Sequence, residues 1–529
     1  MLFREGMEFP PKDWIREKMQ EHNAWYIGDE SLLIDYYAIQ RPTSTTRLSI
    51  SGIDACRNMF WARQHNNNSH IPMHIPLASD ISSTCADLLF GDTPEFKIAE
   101  AHKEGASKSS IESQEVLDKM LSDMGFYSKL LEAAECASAI GGVYIKVAWD
   151  EEISEYPIPV IEQADNAYPE FTFGRLTAVS FVKVVRIESD NTGAIWRLIE
   201  RYDKTGTIQY TLYKGTASNL GKMYDVNAIE ETANIQDIDS GAGMLLCAYV
   251  PNMLPNRLDR NSYQGRSDYA GLESIFHSLD ETYSSWMRDI YLAKGRILAP
   301  KDYLRRTENG SKFELDRLVY EQLDVDPTMQ GSVLTNIQFE IRSDQYYKTC
   351  MELITRAITA AGYSTQTFGI NVEGKAESGT ALNIRERKSF NTKVKKEQYW
   401  EPALRHLLQA LVKVYVTQLH GKFDAELEII TEFSDGANNT LSEMAASLQA
   451  LANAQAISVE QKVRYLHKDW SEEQIQAETQ KILDETGIGA PMENPDTFTN
   501  TPEEDPEEDV EEDIEEDKEK DTEDTEGDE

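Results

Sequence analysis

Three patterns along the 529-residue sequence predict an α+β fold. The first third carries apolar residues at helical spacings, the middle alternates apolar and polar residues as strands do, and long amphipathic helices return after about residue 267. The composition is 40% apolar, which is ordinary for a globular protein and sufficient for a large core. We therefore expect an α+β body that is followed by a largely helical C-terminal part.

The first third is predicted to be mostly helical. Its helices are Trp14–His22, Glu30–Ala38, Ser79–Leu89, Ile111–Met124 and Tyr127–Ala139. Gly141 and Gly142 end the last of them, since glycine is a poor helix former. Strand patterns then follow at Val143–Trp149, Phe181–Ile187, Ala194–Tyr202, Thr207–Tyr213 and Met244–Val250. The stretch DKTGT, Asp203–Thr207, separates two of these strands and predicts a hairpin turn.

The centre of the chain predicts two helices around a small strand-rich insert. Apolar residues spaced by three and four predict a long helix over 267–294, and a second helix is predicted over 344–361 with Ser343 as its N-cap. Between them, Asn309-Gly310 predicts a turn and 333–341 a strand. This order predicts a helical pair that projects from the body and carries a β insert.

The C-terminal part is predicted to be helical. A very long helix over 380–419 contains Pro402, which should kink it. A strand at 426–433 follows, and then come the helices Leu441–Ala454, Ser458–His467 and Ser471–Asp484. The last two begin with capping boxes, Ser458-x-x-Gln461 and Ser471-x-x-Gln474.

The chain is strongly acidic, with 52 basic and 92 acidic residues and a net charge of −40. Residues 501–529 hold 19 Asp and Glu and two Lys, a net −17, so the other 500 residues carry −23. Tight non-specific binding of nucleic acid needs lysine and arginine to displace phosphate counterions, so this balance argues against a protein that grips DNA. The acidic segment lacks apolar periodicity and is expected to be a solvated, disordered tail.

Several classes of site receive no support from the motifs. The five scattered cysteines lack a C-x-x-C pair and predict free buried thiols in a reducing compartment. His65, His70 and His74 lie in a polar stretch without metal-ligand spacing, so a surface loop is expected, and we predict no metal, no cofactor and no catalytic residues. No apolar run is long enough to span a bilayer, and the N-terminus lacks the apolar region of a signal peptide.

The stretch GINVEGKA, Gly369–Ala376, is one residue short of a P-loop. A P-loop requires a buried strand before the glycines and a Ser or Thr after the lysine, whereas here a helix precedes and Ala376 follows. The interpretation that fits better is a polar, glycine-rich loop between two helices. Its candidate functional residues are Thr365, Gly369, Asn371, Glu373, Gly374, Lys375 and Glu377.

A local basic band stands on the long helix. It consists of Arg385, Arg387, Lys388, Lys393, Lys395 and Lys396, with one acid, Glu386, among them. One interpretation is a solvated helix face or one that pairs with acidic neighbours within the chain. The other is a contact with an acidic neighbouring subunit or with DNA phosphates.

The stretches TQTFGINVEGKAESGTAL (365–382) and RERKSFNTKVKKEQYWEPAL (385–404) resemble portal proteins of tailed bacteriophages of the siphophage type. HIPLASDISSTCADLLFGDTPEF (74–96) and GGVYIKVAWD (141–150) are similar to that family as well. The resemblance covers roughly residues 30–490. The acidic tail beyond residue 490 is not a general family feature.

The resemblance implies a portal fold with the following segments: 1–266, first part of the wing; 267–295, stem helix; 296–342, clip; 343–363, stem helix; 364–379, tunnel loop; 380–436, long kinked helix and return to the wing; 437–489, crown helices; 490–529, disordered acidic tail. It further implies a ring, typically of twelve subunits, at one capsid vertex of the virion, assembled in the host cytoplasm. Double-stranded DNA would pass through the ring during packaging and ejection, with Lys375 as the transient phosphate contact.

The implied partners are further copies of the chain, a terminase motor, the major capsid and scaffolding proteins, and a head-completion or adaptor protein, with no membrane. ATP hydrolysis would belong to the terminase, so the chain itself would not be an enzyme. Two alternatives remain open on the sequence. One is a P-loop ATPase of the terminase class, and the other is a capsid-interior scaffolding or minor head protein, for which the acidic tail argues.

Overall fold

The chain forms two compact units, Met1–Gly436 and Ala437–Glu529. The computed structural model describes residues 3–40, 73–101, 107–188, 193–293, 296–300, 306–307, 310–311, 320–323, 335–337, 341–370, 379–433, 441–454, 456–467, 470 and 472–486. The predicted turn at Asn309 and the acidic tail lie outside these residues.

The described helices and strands alternate in blocks, as an α+β fold does. The helices are α1 (Trp14–Ile27), α2 (Glu30–Gln40), α3 (Leu77–Phe90), α4 (Lys108–Asp123), α5 (Phe126–Ile140), α6 (Glu273–Leu292), α7 (Ser343–Ala361), α8 (Gly379–Thr417), α9 (Leu441–Asn453), α10 (Val459–Leu466) and α11 (Glu472–Thr486). The strands are β1 (Glu95–Ile98), β2 (Gly142–Ala148), β3 (Ile158–Gln163), β4 (Ala167–Thr172), β5 (Arg175–Ile187), β6 (Ile195–Asp203), β7 (Thr207–Thr216), β8 (Asn219–Tyr224), β9 (Ile238–Asp239), β10 (Cys247–Pro251), β11 (Arg296–Pro300), β12 (Arg306–Thr307), β13 (Gly310–Ser311), β14 (Tyr320–Leu323), β15 (Thr335–Ile337) and β16 (Ile429–Glu432).

Two antiparallel sheets make up the middle of the first unit. One is six-stranded in the order β4-β5-β6-β7-β8, with β9 paired to β7, and the other has the order β10-β2-β3. Lys146 on β2 lies 2.7 Å from both Glu162 on β3 and Glu200 on β6, so one half-buried cation ties the two sheets together. In addition, β16 pairs with β1, which returns the chain to the body after the long helix.

The core of the first unit lies where α3, α5 and α8 pack together beside the β10-β2-β3 sheet. Trp400 on α8 is 1% exposed and meets the ring of Phe90 on α3 edge-on at 4.9 Å. Trp25 on α1 is fully buried against Tyr37 and Phe276, which brings the N-terminal helices onto the base of α6. Four of the cysteines, Cys85, Cys136, Cys247 and Cys350, are free thiols, and all but the half-buried Cys136 are buried as predicted.

Helices α6 and α7 form an antiparallel pair that projects from the body. At the far end, Asp289 of α6 accepts hydrogen bonds from Arg342 and from the hydroxyl of Tyr346, at 3.0 and 2.9 Å. Trp286 stacks on Tyr346, with ring planes 10° apart. The buried side chains of the two helices all lie near the body, whereas side chains from residue 281 to the end of α6 and before residue 350 of α7 are exposed or half-buried where they are described. Strands β11 to β15 lie between the two helices in the chain, and β11 pairs with β14 and β15.

Most of the predicted elements lie within a few residues of their predicted positions. Two details of the prediction are wrong. Helix α6 begins at Glu273 instead of 267, because Gly271 has a φ of +89° and the residues before it bond to the body instead of to their own helix. Ser343 is the first residue of α7 and not its N-cap, which is Arg342 without a side-chain cap bond. Strands β3 and β4 escaped prediction because Pro159 and Pro169 interrupt their patterns.

The second unit is a set of short helices. Ser458 caps α10 as predicted, with its hydroxyl accepting from the amide of Gln461 at 3.2 Å. Helices α10 and α11 pack on each other, and His467 stacks on Trp470 at 3.8 Å between ring centroids.

A two-residue turn joins β4 to β5 and places Phe173 in an unfavourable conformation. Phe173 and Gly174 have φ values of +50° and +80°, the pattern of a type I′ hairpin turn, in which asparagine is favoured at the first position. The Phe173 side chain is 99% exposed, so burial within this chain does not offset the left-handed backbone.

We therefore expect Phe173→Asn to raise the free energy of unfolding by about 0.5–1 kcal/mol, because asparagine tolerates positive φ and no buried area is lost. Urea unfolding at neutral pH measures the change. Phe171→Asn is the matched control and should destabilise, because Phe171 packs on Tyr249 and Tyr263. A loss of stability in Phe173→Asn would contradict the prediction.

Candidate functional site: the junction of the α6–α7 pair with the body

A buried ionic network lies where the α6–α7 pair meets the body and the long helix α8. The Nζ atom of Lys396 on α8 lies 2.5 Å from Oδ2 of Asp268, which precedes α6, and both side chains are almost fully buried. Tyr363, which follows α7, donates its hydroxyl to the same Asp268 oxygen at 2.8 Å. Three segments that are far apart in sequence therefore share one carboxylate.

The carboxylate of Asp268 also binds the body. Ser138 on α5 donates to Oδ2 at 2.6 Å, and the side-chain amide of Asn252, just after β10, donates to Oδ1 at 2.9 Å. On the other side, Nζ of Lys396 lies 2.9 Å from the sulfur of Cys85 on α3. Every oxygen of the buried carboxylate is thus hydrogen-bonded, which is the condition under which a buried charge is tolerated.

The charges in this network stabilise one another. Burial on its own would raise the pKa of Asp268, but the adjacent Lys396 ammonium and the hydroxyl and amide donors hold it below its ordinary value. Burial likewise opposes the charge of Lys396, and Asp268 outweighs it, so the pKa of Lys396 is raised. Burial also raises the pKa of Cys85 and of Tyr363, which keeps both neutral. The network is therefore an ion pair at neutral pH.

The start of the predicted tunnel loop is anchored to α8 beside this network. Residues Thr365–Phe368 form a short 3₁₀ turn, and Gly369 ends it with a φ of +68°. Ser389 of α8 holds the turn, because its hydroxyl accepts from the amide of Ser364 and bonds the hydroxyl of Thr367, both at 2.8 Å. Thr365 is half-buried and Gly369 is exposed. The remaining loop candidates, Asn371, Glu373, Gly374, Lys375 and Glu377, lie outside the described residues.

The predicted basic band separates into exposed and buried members. Arg387, Lys388 and Lys395 are exposed, whereas Lys393 and Lys396 are buried, the latter in the network with Asp268. The side chain of Arg385 lies outside the described residues. Among the members whose side chains are described, the three exposed ones are in a position to contact another molecule.

The surroundings of Gly369 differ from those of a P-loop. The described segment before it consists of α7 and the 3₁₀ turn, and the next described element after it is helix α8. A P-loop follows a buried strand, whose end aims the backbone amides at phosphate. The nucleotide-binding interpretation therefore has no structural support on the side of the loop that the structure describes.

His74 is a case where the predicted surface loop is wrong. Its side chain is only 7% exposed, and Nδ1 lies 3.0 Å from Asp280 of α6, which also accepts from the hydroxyl of Tyr37 at 2.7 Å. The histidine joins the segment before α3 to α6. Among the described residues, no group of three or more potential ligands could hold a metal ion.

A cavity of about 320 Å³ lies beside this junction, between α1 and the segment 256–271. Glu273, at the start of α6, lines it and accepts from Nε2 of His22 at 3.0 Å, with Nζ of Lys18 at 3.6 Å. Burial opposes ionisation of this carboxyl, but the bond from His22 and the charge of Lys18 lower its pKa to about 2. The ordinary value is 4.5.

The lowered pKa of Glu273 predicts that the stability of the fold depends on pH. Because the folded-state pKa of Glu273 is depressed, the stabilisation it contributes is present above pH 4.5 and is lost as the pH falls toward 2. We expect Glu273→Gln to unfold at lower urea than the wild type at pH 7, and the gap to close as the pH is lowered through that window. Glu17→Gln, an exposed glutamate on α1, is the control and should leave stability within about 0.5 kcal/mol. A difference in stability between the wild type and Glu273→Gln that does not change with pH would contradict the lowered pKa of Glu273.

Sequence reasoning found the loop and the basic band but missed Asp268, Tyr363 and the role of Lys396. Lys396 and Asp268 are 128 positions apart, and neither sits in a motif. A lysine among other lysines on a helix gives no sign that its side chain is buried and paired with a carboxylate. No local pattern in the sequence would have identified this pair.

The body, the projecting helical pair and the hydrogen-bonded network at their junction define an α+β protein whose buried charges join its elements. The chain belongs to the SPP1 Gp6-like phage portal protein family, because the model of that family matches residues 13–487. Among solved structures, the chain is similar to a chain in the virion of a native gene transfer agent (GTA) particle, with 11% identity and a TM-score of 0.36, over 74% of this chain and 89% of that one. No curated protein matches the chain.

Proposed function

We propose that the chain assembles into a closed ring, of about twelve subunits as the family resemblance implies, at one vertex of a phage capsid, and that double-stranded DNA passes through the ring during packaging and ejection. The family membership supports the portal role. In this proposal residues 267–295 and 343–363 are the stem, 296–342 the clip that docks the terminase motor and later the head-completion protein, 364–379 the tunnel loop, and 437–489 the crown. Major capsid and scaffolding proteins surround the ring.

The observation that carries the ring is the exposed apolar surface of the distal stem. Ile290 and Tyr291 of α6 and Tyr347 of α7 are 41%, 55% and 57% exposed, and Ile341 lies beside them at 38%. Apolar side chains concentrated on one projecting element mark an interaction surface. Stems packed side by side around an axis would bury them.

The charge supports a conduit that does not hold DNA. A net charge of −40 disfavours tight phosphate binding, which suits a channel that DNA must pass in both directions. The exposed Arg387, Lys388 and Lys395 on α8 supply a limited positive surface, which we propose contacts DNA phosphates or an acidic neighbouring subunit. The tunnel-loop residues Thr365, Gly369, Asn371, Glu373, Gly374, Lys375 and Glu377 are proposed to face the channel.

Electron microscopy of the purified full chain tests the proposal, together with native mass spectrometry for the subunit number. The expected result is closed rings of about a dozen subunits with a central hole wide enough for a DNA duplex. A chain that stays monomeric at high protein concentration and also in the presence of its capsid and scaffolding proteins would overturn it. Turnover of ATP by the isolated chain would point instead to the motor class.

Where the chain resides follows from the same proposal. A portal ring belongs to the virion, at the capsid vertex, after assembly in the host cytoplasm. Within the described residues, no helix is long and apolar enough to cross a membrane.

A further inference from the structure

An isoleucine projects from an acidic turn between β2 and β3. The turn spans residues 150–155, here called the acidic turn, and its tip residue Ile153 is 74% exposed. The four acidic residues around it, Asp150, Glu151, Glu152 and Glu155, are all exposed. A large aliphatic side chain surrounded by carboxylates contributes nothing to the core of its own subunit.

Hydrogen bonds within the acidic turn and a buried tyrosine directly after it hold the turn in place. The backbone oxygen of Asp150 accepts from the amides of Ile153 and Ser154, at 3.2 and 3.0 Å, and its side chain accepts from the amide of Glu152 at 2.9 Å. Directly after the turn, Tyr156 is buried and its ring lies 5.4 Å from that of Tyr415 on α8. The isoleucine is therefore presented in a preformed position, which lowers the entropic cost of a contact.

The cavity beside α1 has the complementary chemistry, and we call it the socket. Ile15 and Met19 of α1 and Ile140 of α5 line it with apolar surface. Lys18 and the two arginines of the segment 256–271, Arg257 and Arg266, add positive charge. One carboxylate lines it too, and that carboxylate already bonds a histidine and Lys18. In a chain of net charge −40 this is an apolar cavity with a basic edge.

Arg266 has a donor to spare in the socket. Its Nε is shielded from water and has no hydrogen-bond partner among the described residues. Burial and the adjacent Arg257 lower the pKa of Arg266 by more than Asp268 and Tyr399 raise it, so additional negative charge beside Arg266 would stabilise its guanidinium group. An incoming carboxylate would supply that charge.

The acidic turn and the socket lie at opposite ends of one strand. Ile140, in the socket, comes two residues before β2, and the turn begins two residues after β2 ends. The strand runs from Gly142 to Ala148, which separates its ends by about 20 Å at an ordinary strand rise. The acidic turn of a subunit therefore cannot reach the socket of the same subunit.

We propose that the acidic turn of one subunit enters the socket of the next, with Ile153 on the apolar lining and the flanking carboxylates on the arginines. The proposal rests on the ring described above and names a contact that holds it together. Two different patches that fit each other make a head-to-tail interface, which closes into a ring when its rotation allows. A two-fold dimer that exchanged both acidic turns would bury the same surfaces but stop at two subunits, so the oligomer size distinguishes it from a ring.

Two variants that each disable one side test the contact. Ile153→Asp removes the apolar tip, and Arg257→Glu reverses one charge of the socket edge. Each is expected to raise the protein concentration at half assembly at least tenfold, since one buried isoleucine side chain is worth about that factor or more. Analytical ultracentrifugation of the full chain measures the shift. Ile187→Asp is the matched control, because Ile187 is 64% exposed on β5 and outside the proposed contact, and it should assemble like the wild type.

Mixing the two variants gives the sharper result. The Ile153→Asp chain keeps an intact socket and the Arg257→Glu chain keeps an intact acidic turn, so one contact forms and cannot propagate. Native mass spectrometry should show heterodimers containing one chain of each kind, and no rings. Adding Glu151→Lys and Glu152→Lys to the Arg257→Glu chain should restore part of its assembly. The acidic turn then carries positive charge opposite the negative charge at position 257 of the socket.

The outcomes distinguish a failure of the proposed contact from a failure of the proposed ring. A wild type that forms no closed oligomer contradicts the proposed function, whatever the variants do. A wild type that forms rings, with Ile153→Asp and Arg257→Glu assembling at the same concentration as Ile187→Asp, overturns the contact and leaves the ring intact. Circular dichroism of each variant, compared with the wild type, shows that a loss of assembly is not a loss of folding.

Discussion

Lys396→Ala is expected to cost about 3–5 kcal/mol of unfolding free energy, the largest loss among the substitutions considered for this chain. The lysine side chain is 1% exposed, and it is the cation that lies against the fully buried Asp268. Removing it leaves a carboxylate without its counter-charge in the core, and that cost exceeds the value of the pair itself. The loss would fall at the junction that joins α8 to the stem.

A pair of controls separates the buried charge from general damage to α8. Lys395→Ala changes the neighbouring, exposed lysine and should stay within about 0.5 kcal/mol of the wild type. In a Lys396→Met background, Asp268→Asn should recover part of the loss, because the orphaned charge disappears while Ser138 and Tyr363 keep an acceptor. Equal stabilities of Lys396→Ala and Lys395→Ala would contradict the buried pair.

The same pair predicts the direction of a pH effect. The pKa of Asp268 is held below its ordinary value of 3.8, mainly by Lys396 against the opposing effect of burial. Its stabilisation is therefore present above that value and is lost as the pH falls below it. In urea unfolding, the gap between wild type and Lys396→Ala should be full at pH 7 and should narrow in acid.

Much of the fold could be predicted because its elements carry local signals. The amphipathic stripe of α6, the capping serine at 458 and the alternation in β2 each lie within one stretch of sequence, and the structure has all three close to where the pattern put them. The start of α6 shows the limit of that approach. Residues 267–271 look helical, but tertiary hydrogen bonds to α5 and the conformation of Gly271 override the local preference.

The junction could not be predicted for a different reason. Its chemistry depends on side chains from α3, α5, α8 and the segments around the stem, and only the tertiary fold brings them together. Lys388, Lys395 and Lys396 are similar in composition and context, yet two are exposed and one is buried. Helix phase decides between them, and the sequence cannot fix that phase to within one residue on a helix as long as α8.

The second large effect is expected at Gly265, where two backbones touch. A Cβ on Gly265 would lie 2.2 Å from the carbonyl oxygen of Gly141 and 2.8 Å from the amide nitrogen of Asn252. Both are main-chain atoms that flanking structure holds in place, and the amide of Gly265 is itself bonded to the hydroxyl of Tyr249 at 2.8 Å. No rotamer change can relieve such a clash, so the segment before α6 must move.

Gly265→Ala should therefore destabilise by about 3 kcal/mol, at the upper end of ordinary overpacking, since the displaced segment also carries Asp268 into the buried network. Gly271→Ala is the discriminating control. Its φ of +89° disfavours alanine, but a Cβ there meets open space, so about 1 kcal/mol is expected from backbone conformation alone. Urea unfolding of both variants compares the two costs. Equal losses of unfolding free energy in the two variants would mean that the close approach of Gly141 and Gly265 is easily relaxed. A larger loss at Gly265 would mean that α5, β10 and the base of the α6–α7 pair are fixed as one rigid junction.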